Sequence, residues 1–111
     1  MSQRVETALW FAQRASAMVL APLVLVHLAT IIYAVHQGLS AAAILDRTHG
    51  NVAWLLLYGL FVTAVAVHAP IGLRAVIREM TPWRGRSVDL FAAVLAVFLV
   101  VLGWRAVGGL Y

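Results

Sequence analysis

His68 interrupts the apolar stretch VTAVAVHAPIGLRAVIRE (62–79), and His27 interrupts another, ASAMVLAPLVLVHLATIIYAV (15–35). An ionisable side chain at membrane depth is costly and marks a functional site by default, and a neutral imidazole is a ready ligand for a metal ion or a haem iron. On a helix the same-face neighbours of His68 are Ala64, Val65, Ile71 and Gly72. Ala64 and Gly72 have almost no side chain, so a flat macrocycle coordinated by His68 could lie close to the backbone, with Val65 and Ile71 packed beside it. Small residues also let transmembrane helices approach one another, and a histidine at such an interface can hydrogen-bond across it with no ligand bound. Both readings fit the local pattern of His68. His27, with Leu23, Val24, Thr30 and Ile31 around it, is the second candidate ligand, whereas His36 and His49 fall at a helix end and in a loop and read as solvated.

The elements that must position these histidines follow from composition. The chain has 111 residues, 64% of them hydrophobic and only 11% charged, against roughly 25% charged in soluble domains. Three apolar segments, at about 15–35, 52–76 and 90–107, each approach the roughly 20 residues that cross a bilayer core about 30 Å thick. The fold class predicted is all-α: a single membrane domain over residues 1–111 with three transmembrane helices, joined by HQGLSAAAILDRTHGN (36–51), rich in helix-end and loop residues, and by the polar turn REMTPWRGRS (78–87). Pro70 cannot donate to the Ala66 carbonyl and predicts a local distortion beside His68. The first segment is too long for a cleaved secretion signal, lacks a small-residue cleavage pattern, and is followed by two more spans. With no cysteine in the chain, disulfides, thiolate metal sites and iron–sulfur clusters are excluded here.

All eight basic residues are arginines. Arg4 and Arg14 precede or open the first span and Arg74, Arg78, Arg84 and Arg86 surround the second connection, whereas the first connection carries only Arg47 beside Asp46. The positive-inside rule then places the amino terminus in the cytoplasm and the carboxy terminus outside, with Arg105 a mild exception. The net charge of +4 is topological in this reading, and no interleaving of basic and aromatic residues suggests a nucleic-acid surface. At about 1.5 Å per residue, His68 lies roughly 9 Å below Arg74 in the inner half of the membrane, and His27 roughly 20 Å from Arg14 towards the outer half.

The blocks QRASAMVL (13–20) and HAPIGLRAVIRE (68–79) resemble the small membrane anchors of succinate:quinone oxidoreductases, the succinate dehydrogenases and fumarate reductases. Those anchors have three transmembrane helices, an Arg-x-Ser element opening the first and a His-x-x-x-Gly element in the second. His68, Gly72, Arg74 and Glu79 look most like the C-type cytochrome b subunit. The resemblance implies that His68 is an axial ligand of haem b, that Arg14 meets the haem propionates, that Ser16 lies near haem and quinone, and that Gly72 packs beside the haem. A propionate suits Arg14 physically, since guanidinium pairs with carboxylate in a bidentate fork.

Two positions depart from that pattern. Trp10, offering only an indole donor, stands where C-type anchors often carry a serine near the quinone, and His27 has no obligatory counterpart in single-haem enzymes. Di-haem relatives use histidines at two levels, so His27 is a candidate ligand of a second haem. The implied function is electron transfer between cytoplasmic flavoprotein and iron–sulfur subunits and membrane quinone, in a bacterial-type inner membrane, with no bond made or broken by this chain. A second anchor subunit would complete the bundle and supply the opposite axial ligands. Arg74, Arg78, Arg84 and Arg86 would offer a basic docking platform for the soluble subunits, or serve only topology and lipid contact. The competing readings are a haem-free structural anchor and an unrelated small transport or assembly subunit. The last would expect polar residues along several helices, and the third span offers none before Trp104 and Arg105.

Overall fold

In hydrocarbon every backbone N–H and C=O must find its partner within the chain, which leaves the helix as the solution for an apolar segment of this length. A computed structural model describes residues 2–111 and consists of four helices: α1 (Gln3–Gln37), α2 (Ala41–Thr48), α3 (Val52–Met80) and α4 (Arg86–Leu110). Each of the first three is started by a side chain that accepts from the orphan amides of the first turn. Ser2 takes the Val5 amide, Ser40 that of Ala43, and Asn51 those of Ala53 and Trp54. The three long helices contain the expected spans and extend beyond them. The 29 residues of α3 reach about 44 Å, more than the roughly 30 Å of hydrocarbon, so its ends stand at headgroup level. Pro22 and Pro70 lie inside α1 and α3 without interrupting either.

The connection expected to be loop at 36–51 contains α2, a two-turn helix. Its Thr48 is buried, and the hydroxyl lies 2.8 Å from the Leu110 carbonyl oxygen, to which it donates. The Gly50 amide donates to the Tyr111 carbonyl at 2.9 Å. These bonds occupy carbonyls that the end of α4 cannot satisfy within itself. Gly50 is free to serve because it adopts φ +68°, a backbone region costly for other residues.

α3 is the central helix, packed against α1 on one side and α4 on the other, with consecutive long helices antiparallel. The core is thin and built of small residues: Ala64 and Ala66 are buried, with Leu23, Val88 and Val107. The α3–α4 contact is reciprocal. A Cβ added at Gly59 of α3 would overlap the Trp104 ring, and one added at Gly103 of α4 would overlap Val62. The Trp104 indole then donates to the Thr63 hydroxyl at 3.2 Å, and that hydroxyl donates to the Gly59 carbonyl at 2.8 Å. Leu25, Leu56, Met18, Phe98 and many other large apolar side chains face outward, an exposure suited to lipid and partner helices rather than water. Overpacking a tight interface typically costs about 1–3 kcal/mol. Gly103→Leu is therefore expected to destabilise the subunit by that order in a reversible detergent-unfolding titration. Gly108→Leu, on the same helix but with open space around it, should leave the midpoint nearly unchanged.

Candidate functional site

A side-chain hydrogen bond between Ser16 and His68 bridges α1 and α3 at membrane depth. Ser16 of α1, buried at 7% exposure, places its Oγ 3.2 Å from His68 Nδ1 of α3. The same hydroxyl lies 3.0 Å from the Gln13 carbonyl oxygen, one turn back on α1. Ser16 and His68, 52 residues apart in sequence, are thus brought together. His68 is half-buried, and its Nε2 makes no hydrogen bond among the described residues and is not sealed within the protein.

Gly72, one turn beyond His68, faces α1: an added Cβ would lie 3.2 Å from the Gln13 amide nitrogen. In this chain its small size admits Gln13 between the helices. The Gln13 amide oxygen is buried without a hydrogen-bond partner among the described residues. Arg14 points away from that interface. It is exposed, with its guanidinium carbon 4.1 Å from the centroid of the Trp10 ring, a cation–π stack. Trp10, read from sequence only as a departure at a serine position, therefore holds Arg14 in place, and Arg14 forms no ion pair among the described residues.

His27 belongs to a different level. It lies eleven residues past Ser16 on α1, about 16 Å along the axis. Its ring stacks on Phe61 with centroids 5.0 Å apart and meets Tyr58 edge-on at 6.4 Å. It also lines a cleft of about 230 Å³ with Thr30, Arg47, Thr48, Trp54 and Tyr58, under α2. Among the described residues no three His, Cys, Asp or Glu side chains converge as a metal cage. His27 and His68 each stand singly.

The arginine-rich end contains the strongest electrostatic feature. Arg74 is buried at 7% exposure; its Nε donates to Asp89 of α4 at 2.7 Å and its Nη2 to Glu6 of α1 at 2.7 Å. Arg78 donates to the same Glu6 oxygen at 3.2 Å. All three long helices are therefore joined through one guanidinium, whose planar fork lets it serve two carboxylates at once. This corrects the docking platform read from sequence. Arg74 is enclosed and neutralised, and Arg78 is shared with Glu6, which leaves Arg84 and Arg86 as the exposed cations of that group. Sequence reading passed over Glu6, Asp89 and Gln13. The available signal was that Glu6 and Asp89, two of four acidic residues in the chain, each stand in the first turn of an apolar helix.

Three helices long and apolar enough to cross a bilayer, with outward-facing apolar side chains, define a multi-pass integral membrane protein. The chain matches the succinate dehydrogenase/fumarate reductase transmembrane subunit family over residues 1–104 and belongs to that family, as a membrane subunit of a complex with other subunits. No curated protein and no solved structure gives a significant match to the chain. Family membership sets aside the reading as an unrelated transport or assembly subunit.

Removing one partner of a buried ion pair typically costs about 3–5 kcal/mol, because the other charge is left enclosed. Asp89→Asn leaves the 7%-exposed Arg74 with the Glu6 carboxylate alone and is expected to lower the unfolding free energy in a detergent-unfolding titration measurably, by less than that full cost. Arg84→Gln, at an exposed position, should have little effect in the same titration.

Proposed function

We propose that this chain is a C-type cytochrome b anchor that holds one haem b through His68 Nε2, with a second membrane-anchor subunit supplying the opposite axial ligand. The observation that carries this reading is the state of His68: one ring nitrogen is engaged by a buried serine, and the other makes no hydrogen bond among the described residues and is not fully enclosed. The donor set suits the group. His68 Nε2 would hold the iron, and the propionates would meet a cation in Arg14, which has no acidic partner among the described residues. Ser16 sits beside the ligand, and Gly72 keeps the α1–α3 approach close next to it.

Haem supplies a one-electron centre whose potential is set by axial ligation, burial and nearby charge. The chain's own tasks are to present His68, to hold Arg14 against Trp10, and to exclude water with its apolar helices. The flavoprotein and iron–sulfur subunits would dock at the arginine-rich end, which the positive-inside rule assigns to the cytoplasm of a bacterial-type inner membrane, and membrane quinone would exchange electrons nearby. His27 is given no haem in this proposal. Its ring is packed on Phe61 and Tyr58, and no hydrogen bond among the described residues fixes its tautomer.

The competing reading is a haem-free anchor in which the Ser16–His68 bond only ties α1 to α3. Absorption spectra of the purified complex separate the two. His68→Ala is expected to abolish the haem b bands while the complex still assembles, and His27→Ala should leave haem content unchanged. An unaltered haem spectrum in His68→Ala would remove the ligand assignment, and loss of half the haem in His27→Ala would restore the two-haem arrangement.

A further inference from the structure

We infer that Ser16 is a positioning residue that fixes the tautomer of His68, protonated on Nδ1, and thereby keeps the Nε2 lone pair available to a metal. A serine hydroxyl has one proton and two lone pairs. Ser16 Oγ has two neighbours, the Gln13 carbonyl oxygen at 3.0 Å and His68 Nδ1 at 3.2 Å. The carbonyl can only accept. If the hydroxyl donated to Nδ1, two oxygens would face each other at 3.0 Å with no proton between them. Both contacts are satisfied together in one arrangement: the hydroxyl donates to Gln13, the usual local bond of a serine within a helix, and accepts from Nδ1–H. Ser16 is 7% exposed, so no water competes for its lone pair, and an unmade bond at that depth carries the full cost of desolvation. In the neutral imidazole the second nitrogen is then the unprotonated one.

Metal-bound histidines almost always donate their other N–H to a neighbouring acceptor, which fixes the tautomer and raises ligand basicity. Here the acceptor is a hydroxyl on a different helix, already oriented before any ligand arrives. That iron is what binds Nε2 rests on the reading proposed above; the tautomer does not.

The full-length chain, labelled with ¹⁵N-histidine and free of haem in detergent, tests the tautomer directly by the ¹⁵N shifts of the His68 ring, assigned by their disappearance in His68→Gln. The wild-type signal is expected to show Nδ1 protonated and Nε2 bare. Ser16→Ala should lose that preference and Ser16→Thr should retain it, with helix content by circular dichroism equal in all three. A wild-type His68 protonated on Nε2, or a Ser16→Ala signal unchanged from wild type, overturns the assignment. In the assembled complex Ser16→Ala is expected to weaken haem retention by about 10–100-fold, the usual effect of removing such an acceptor, and Ser16→Thr to restore it. Haem that persists in His68→Ala while the ring still shows Nδ1–H in the wild-type chain would defeat the haem proposal and support the tautomer assignment alone.

Discussion

Inside a bilayer no water is available to hydrogen-bond a polar side chain, so each such group must find its partner on the chain's own helices or on something the chain binds. That constraint explains the placement of the polar groups here. Arg74 is bonded by Asp89 and Glu6, Thr63 by the Gly59 carbonyl and Trp104, and Thr48 by a carbonyl at the end of α4. His68 is satisfied on one side only, by Ser16. The Gln13 amide oxygen, buried beside the same helix contact, is also without a partner among the described residues.

α3 organises the rest. One of its faces meets α1 and carries His68 and Gly72; another meets α4 through the Gly59–Trp104 and Val62–Gly103 contacts. Such close approach follows from the membrane setting, where lipid tails are as apolar as leucine and association rests on packing and interhelical hydrogen bonds. Arg74 closes the arginine-rich end, α2 ties down the other, and the level of His68 is set between them. The α1–α3 register is held by the bonds of Glu6 with Arg74 and Arg78 and of Ser16 with His68. The orientation of His68 is thus a property of the helix pair rather than of α3 alone.

Composition and hydropathy made the three spans and their order legible, because twenty apolar residues in a row have few other uses. The His68, Arg14 and Ser16 constellation was legible as a set of residue types. Its internal arrangement was not, since the bond between Ser16 and His68 joins residues 52 apart and depends on how α1 rotates against α3. Arg74 was read as one of a group of exposed arginines because a charge count does not show that Glu6, 68 residues away, encloses it. The short helix α2 was hidden by the glycines and Ser40 around AAAILDRT and by Asp46 within it, although Ser40 was a cap signal in plain view. Gly59 and Gly103 carried no periodic signature, and only the shapes of Trp104 and Val62 give them meaning.

The central claim is that this membrane subunit holds one haem through His68. Its most direct measurement is a dithionite-reduced minus oxidised difference spectrum of the native complex, with haem counted against flavin. One haem b per flavin is expected. A fully assembled complex with no haem absorbance would contradict it.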